Sequence, residues 1–467
     1  MRLLITGCTG FLAGFLAVSG ALAQASSAAE PATVWQQERL LGDFGGLRPK
    51  LETAGITFGL QDINEVWGNA SGGRRRTVDY NGATMLSFGL DTKAAQLWTG
   101  GIFNVSAWQI RGRSLATDAT SALQTNSGIN ARGATRLWEA WYQQTFAGGA
   151  ADIKIGQQSL DQEFMSSAGS SLFLNTMMGW PMLPSANLYA GGPAYPLSSL
   201  GVRLRVRPND NFTLLGGVFQ DNPPGGPFDN DSPLRGSTRW GGNFSLRTGA
   251  LVVGEAQYSF NQPTTGEDGK PKPAAGLPGT YKLGVWYDSA AFPSQRISTT
   301  GLPLASSDGS GIPKLLCDNW SVYAVADQAI WRPDPDGARV VGVFVRAMGG
   351  PGDRNLISFS VNGGVTVKAP LPDRDDDSFG VGIGVARLSG GAIGFDRDRS
   401  RYFGPAPVRS TETFVEMTYQ IAVAPWWQIQ PDFQYVFAPG GGVANPNRPG
   451  KRIGNAAIFG LRSIVTF

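Results

Sequence analysis

Three arginines at alternate positions, Arg203, Arg205 and Arg207, are interleaved with Val202, Leu204 and Val206. In a β-strand successive side chains point to opposite faces, so one face of this stretch is guanidinium and the other aliphatic. Each guanidinium offers N–H donors in a fixed fork that takes hydroxyl or carboxylate oxygens from a solute. Other polar side chains hold comparable alternating places: Glu139 and Gln143, Lys154, Glu255 and Gln257, and Lys282. Trp141 and Trp286 share faces with them, and a flat aromatic lies well against the apolar face of a ring-shaped solute. Such a wall replaces hydration hydrogen bonds one by one while binding stays weak, which is the chemistry of passage. The parts for common catalysis are missing. The sequence has no histidine, which excludes Ser-His-Asp triads, Cys-His pairs and histidine-ligated zinc. Hydrolysis by paired Asp or Glu is left open by composition.

The elements that carry these residues must be strands. The chain has 467 residues with Gly 64, Pro 30, 10% aromatic and 16% charged residues, which is not a disordered composition. Beyond the N-terminus no run of 18 or more apolar residues occurs, so the sequence holds no transmembrane helix, a test blind to alternating strands. The formal charge of +3 becomes +2 once Arg2 leaves with a leader (38 Lys+Arg against 36 Asp+Glu). This balance and the lack of a basic stripe argue against nucleic acid as a partner. Cys8 and Cys317 are the two cysteines; Cys8 falls in the leader, so no internal disulfide is expected.

Residues 1–25 read as a cleaved secretory signal, with Arg2, an apolar core and Ala21-Leu22-Ala23. Residues 26–55 read as a periplasmic segment with two short helical turns broken at Gly45-Gly46, and residues 56–467 as alternating strands. In 427–437, for example, Trp427, Ile429, Phe433, Tyr435 and Phe437 oppose Gln428, Gln430, Asp432 and Gln434. Segments of about ten residues with one fully apolar face cross a bilayer at a tilt, so the apolar face meets lipid and the polar face a wet lumen. Trp67, Trp98, Trp320, Trp331, Trp426 and Trp427 fall at strand ends and read as aromatic girdles. Counting strands and connections gives sixteen, provided 243–260 is one strand and 261–279 a long periplasmic link, with external loops at 220–242 and 290–319. The fold class is therefore all-β: a 16-stranded antiparallel transmembrane barrel with a short helical N-terminal segment.

The segment 158–199 is too long and too apolar to wave freely in water, with Leu172-Phe173-Leu174 and Met177-Met178. It is expected to fold into the lumen as a constriction loop, bringing Asp161, Glu163, Phe164, Asn175 and Trp180. Arg203 and Arg205, midway along their strand, are expected at the constriction, and Arg207 at the exit. Arg74-Arg75-Arg76 suit lipopolysaccharide phosphates or simply solvent, and Asp373, Asp375, Asp376 and Asp377 lack the regular spacing of a calcium loop. The terminal Phe467 shares a face with Phe459, Leu461 and Val465, as expected of a strand read by the outer-membrane assembly machinery.

Three stretches carry a family likeness: 40–51 (Leu-Leu-Gly-Asp-Phe-Gly-Gly-Leu-Arg-Pro-Lys-Leu), 137–144 with 153–157, and 430–436 with Pro439-Gly440-Gly441 and the closing strand. On these the chain resembles the carbohydrate-selective porins of OprB type. The resemblance implies a sixteen-stranded barrel passing sugars by diffusion, with an arginine-bearing constriction, in the Gram-negative outer membrane. Monosaccharides such as glucose, other small sugars or polyols would be its solutes, lipid and lipopolysaccharide its surroundings, and monomer or homotrimer its state; no cofactor, metal or enzyme activity is expected. The insertion at 261–279 departs from the family pattern. The alternatives are a general or anion-preferring porin and, in another class, an outer-membrane enzyme or adhesive barrel.

Overall fold

The computed structural model describes residues 33–223, 241–242, 244, 246–265, 271–272, 276–335 and 337–467. The expected signal at 1–25 lies outside them, as do parts of the expected loop at 220–242 and of the link at 261–279. The chain closes one antiparallel barrel of sixteen strands in sequence order. They are β1 Ile56–Gly73, β2 Thr77–Asp91, β3 Gly101–Gly112, β4 Ala134–Phe146, β5 Ala151–Gln158, β6 Ser199–Val206, β7 Phe212–Gln220 and β8 Ala250–Phe260. They continue as β9 Gly279–Ser298, β10 Pro313–Trp331, β11 Val340–Gly349, β12 Ile357–Lys368, β13 Ser378–Leu388, β14 Thr411–Ala424, β15 Trp427–Phe437 and β16 Gly454–Thr466. The parity argument holds: the stretch before Phe260 is a single strand. The external loop expected at 290–319 is shorter, because β9 and β10 extend as a hairpin and leave 299–312 between them; Cys317 therefore sits in β10.

Alternation sets the faces. Val202 and Leu204 are exposed outward while Arg203 is buried inward. Tyr281, Leu283, Val285 and Tyr287 are exposed on β9, with Lys282 and Trp286 inward. A barrel leaves no unpaired edge, which is why strands can cross lipid at all. The girdle reading holds for exposed Trp98, Trp320 and Trp331 but not for Trp67, which is fully buried inward and donates to Glu65 Oε2 at 2.7 Å, nor for Trp426, which is 9% exposed. A tryptophan one residue either way along a strand changes face, and residue type alone does not report which.

One end of the barrel carries the short turns, the C-terminus and the first described residues. There α1 (Leu47–Thr53) starts after Gly45 and Gly46, both at positive φ, and stops at Gly55. Gly55 has φ +78°, and a Cβ there would meet the Asp91 carbonyl oxygen at 2.6 Å. The second helical turn expected before it is a 3-10 turn, Val34–Gln36. Arg48 of α1 donates to the Phe58 carbonyl at 2.8 Å and to the Phe467 oxygen at 3.1 Å, stitching the β1–β16 seam.

The other end carries the long connections, and two of them fold inward. The connection 159–198 contains α2 (Thr176–Gly179) and α3 (Met182–Asn187) and packs its Phe164, Phe173, Met178 and Leu183 against inward strand residues. The connection 113–133 joins it, with Leu115 and Ala119 buried beside Trp67. Gly380 and Gly382 on β13 leave the space these side chains fill: a Cβ on Gly382 would meet Phe173 at 2.9 Å and Met178 at 2.7 Å. A third long connection, between β13 and β14, forms α4 (Gly390–Phe403), capped by Ser389.

Candidate functional site

Strand register brings the arginine stretch to its partners. Lys154 of β5 stands opposite Arg203 of β6 and Gln143 of β4, and Asp152 opposite Arg205. All point inward. Arg203 pairs with Asp152, donates to Gln143 Oε1 at 3.1 Å, and has its Nε 2.6 Å from Glu163 Oε2 of the inserted loop. Lys154 pairs with Glu163 as well, and its Nζ lies 4.7 Å above the Trp141 ring. Arg205 donates to Asp152 Oδ2 at 2.7 Å. Burial alone would raise the Glu163 carboxyl, but Lys154 and Arg203 beside it hold it down at about 2. Burial pushes the Asp161 carboxyl up, against hydrogen bonds from Ser159, Tyr195 and Gln162.

Apart from Gln257, the other wall residues singled out from sequence are also occupied by the loop. Glu139 Oε1 accepts from Ser159 N at 2.9 Å, and Glu255 Oε2 from Met165 N and Tyr323 OH, both at 2.8 Å. Gln257 donates to Glu255 at 2.6 Å, and Lys282 Nζ to the Ser166 carbonyl at 2.8 Å. Trp286 is fully buried among Phe164, Trp180 and Leu183. On the loop side, Asn175 caps α2 and donates to Gln434 Oε1 at 3.0 Å, and Trp180 Nε1 donates to the Gly191 carbonyl at 2.8 Å. The structure thus brings the expected residues together, but around the loop. Arg203, 1% exposed, and Trp286 face protein instead of open lumen.

Several groups of this clamp were not singled out from sequence. Arg346 of β11 gives its guanidinium to four loop carbonyls, those of Met165, Gly179, Met177 and Met178, at 2.6–2.9 Å. Glu416 accepts from Leu174 N at 2.5 Å, Glu412 from Leu123 N and Gln124 N at 2.8 and 2.7 Å, and Asp327 from Gly169 N at 2.8 Å. A charge-assisted hydrogen bond of this kind contributes about 1.5–3 kcal/mol. A lone arginine in the apolar run Val343-Phe344-Val345-Arg346-Ala347-Met348 was the available signal. The inward connection 113–133 gave none, being short in apolar residues.

The open space lies elsewhere. A cavity of about 830 Å³ sits between the loop stretch Ala168–Leu172 and the short-turn end. Its wall comes from β1 and β9–β16 and includes Gln61, Gln420, Gln428 and Gln430, with Arg462, Lys368 and Trp426. Gln430 Nε2 donates to the Leu172 carbonyl at 2.7 Å, tying wall to loop, and Gln420 donates to Gln428 at 3.1 Å. The N-terminal Glu38 and Arg39 reach the same cavity. None of the pore-lining or constriction residues singled out from sequence lines it, although Gln428 and Gln430 belong to the polar face read for their strand. The acidic stretch 373–377 is engaged differently from a cation loop: Asp377 is bonded to Arg374 and accepts from Tyr419 OH and Ala422 N.

The model of the family described as carbohydrate-selective porin, OprB family, matches residues 75–467. Porin B of Pseudomonas aeruginosa is 25% identical over 458 residues, 93% of each chain. The putative porin QuiX of Acinetobacter baylyi is 24% identical over 434 residues, 87% of this chain and 90% of that one. The high-pH structure of Pseudomonas putida OprB superposes with a TM-score of 0.78 at 23% identity, covering 94% of this chain and all of that one. That superposition shows the same fold. The closed sixteen-strand barrel, its apolar outer face and the match over most of its length lead to one conclusion: the chain belongs to the carbohydrate-selective porin, OprB family, channels rather than enzymes, and is a carbohydrate porin of the Gram-negative outer membrane.

Proposed function

We propose that this porin selects sugars on the wall formed by β14, β15, β16 and β1, and uses its arginine stretch to hold the loop that narrows the lumen. The observation that carries the reading is the cavity whose lining is rich in primary amides. Amides exchange hydrogen bonds with hydroxyls without attracting counter-ions. Arg203 and Lys154 then act at one remove: with Glu163 they set how far the loop reaches across the lumen. Monosaccharides and small polyols are the solutes that this chemistry suits.

The test is swelling of liposomes holding the purified protein, in glucose and in a charged solute of similar mass. Gln420→Ala with Gln428→Ala, two half-buried amides of the cavity wall that bond each other, is expected to slow glucose about three- to tenfold and to leave the charged solute within twofold, the loss of one or two hydrogen bonds of about 1 kcal/mol each. Equal slowing of both solutes would sink the amide wall as the selecting surface. A general or anion-preferring pore predicts the reverse order in the wild type.

The reading carries further parts. Residues 1–25 serve as a cleaved signal, 26–55 as a periplasmic segment and 56–467 as the barrel. Phe467, whose N–H donates to the Leu60 carbonyl at 2.9 Å, ends the strand that the assembly machinery reads. The barrel works as a monomer or a homotrimer, each with its own lumen.

A further inference from the structure

The outward face of this barrel is apolar on strand after strand, as Val252, Leu283, Val345 and Ile383 illustrate by their exposure. One corner breaks the pattern. On the outward face of β1–β3, Arg111 Nη2 donates to Asp62 Oδ1 and Asn64 Oδ1 at 2.8 and 2.9 Å. Its Nη1 donates to Thr84 Oγ1 and Gln109 Oε1 at 2.8 and 3.0 Å, and its Nε to Tyr80 OH at 3.0 Å. These residues share the face of exposed Val66, Val78, Phe88 and Phe103, so they look toward the membrane. An arginine on a lipid face costs about 2–4 kcal/mol at the bilayer midplane and about 0–1 kcal/mol near the interface. Arg111 stands next to the last residue of β3 at the extracellular end, where the outer-leaflet headgroups lie.

Past exposed Val66 and Val78, the connections above this floor carry a basic rim. Arg74, Arg75, Arg76 and Arg113 are all exposed. Arg113 N donates to the Tyr80 carbonyl at 2.9 Å, joining rim to floor. The inner side of the rim is covered: Arg74 N donates to Ala119 O at 2.5 Å and Arg75 Nε to Asp118 O at 2.9 Å. The neighbouring hairpin between β15 and β16 approaches through Asn447, which donates to the Arg74 carbonyl at 3.1 Å, and brings exposed Arg448 and Lys451. Against these six cations stand buried Asp79, in the field of Arg75 and Arg113, and Asp118, 3.9 Å from Arg75.

We propose that this corner docks the headgroup of a phosphorylated glycolipid of the outer leaflet. The five N–H groups of Arg111 are all engaged, so it builds a neutral polar floor of amide, hydroxyl and phenol groups that suits sugar hydroxyls. The rim arginines take the phosphates, for which a guanidinium fork is matched. Acyl chains then lie along Phe88, Val105 and Phe103 below. The same cations facing only water would leave the polar floor on the membrane side without a counterpart.

The test uses the full-length barrel purified in detergent, titrated with bis-phosphorylated lipid A and followed by native mass spectrometry. Lipid A stripped of its phosphates and inorganic phosphate are run in parallel. The wild type is expected to retain the phosphorylated lipid at concentrations at least tenfold lower than the stripped one, and the Arg74→Gln, Arg75→Gln, Arg76→Gln, Arg113→Gln variant to lose that difference. Arg448→Glu with Lys451→Glu, outside the sixteen barrel strands, is expected to weaken retention severalfold and guards against a misfolded first variant. Glucose swelling at the wild-type rate in both variants shows an intact barrel. Equal retention of the two lipids by the wild type, or undiminished retention by both variants, overturns the proposal. Displacement of the lipid by millimolar inorganic phosphate overturns the lipid source in favour of a free anion.

Discussion

The two halves of the lumen wall use the same alternation for opposite ends. From β4 to β9 the inward side chains are ionic and covered: Arg203, Asp152, Lys154, Glu255 and Lys282 are all buried against the inserted loop. From β14 round to β1 the short-turn end keeps the amides Gln61, Gln420 and Gln428 and open volume, with Arg462 paired to Glu65, while Glu412 and Glu416 toward the other end hold loop nitrogens. Charge is concentrated where the wall must hold protein, and amides where it must release solute. Ion pairs are strong and directional when desolvated, while amides exchange partners cheaply, so the division follows from the energetics of each group.

Removing one member of the covered side should have the largest effect. Arg203→Ala takes the shared partner from buried Asp152 and Glu163, which keep Arg205 and Lys154, and is expected to cost about 3 kcal/mol, read as a lower midpoint of denaturant unfolding. Single-channel conductance in planar bilayers should rise as the loop loosens. An unchanged conductance would mean that hydrophobic packing alone seats the loop. Gly382→Val probes that packing without touching a charge: its side chain collides with Phe173 and Met178, and it should cost about 1–3 kcal/mol and raise conductance too. If only one of the two variants opens the channel, the comparison between ionic and apolar seating is decided.

On the open side, Gln61→Ala is expected to slow glucose swelling about twofold while leaving stability within about 1 kcal/mol, since this half-buried side chain lines the cavity and takes no part in the clamp. A stability loss as large as that of Arg203→Ala would erase the distinction between the two walls. The smallest effect is on pH. Glu163 is held at about 2, below its usual value near 4.3, so its contribution is fully present above the unfolded value and fades as pH falls toward 2. The gap in unfolding midpoint between wild type and Glu163→Gln should therefore be constant from pH 8 to 5 and close below about 4.

The barrel was legible because its signal is local: two-residue alternation and turn residues determine strand number, and parity corrected the count. The inward direction of Arg203, Glu255 and Lys282 was legible for the same reason. What alternation reports is a face, and a face can meet water or another part of the chain. The partners Glu163, Met165 and Ser166 lie 40, 90 and 116 residues from Arg203, Glu255 and Lys282 respectively, and that separation carries no periodic trace. Hence the clamp read as an open wall. Arg346 was passed over because a single inward charge in an apolar strand looks like a break in the pattern, although it binds four carbonyls.

The clamp's acceptors and donors mostly meet main-chain atoms of the loop: Glu139 takes Ser159 N, Glu255 takes Met165 N, Glu416 takes Leu174 N, and Arg346 takes carbonyls. Main-chain groups are the same whatever residue stands at a position, proline's nitrogen aside. The barrel therefore holds the path of the loop without dictating the side chains at Ser159 or Leu174. A lineage can redecorate the lumen through point substitutions in the loop while the aperture is inherited intact from the wall. Selectivity and pore width become separately heritable traits of one chain.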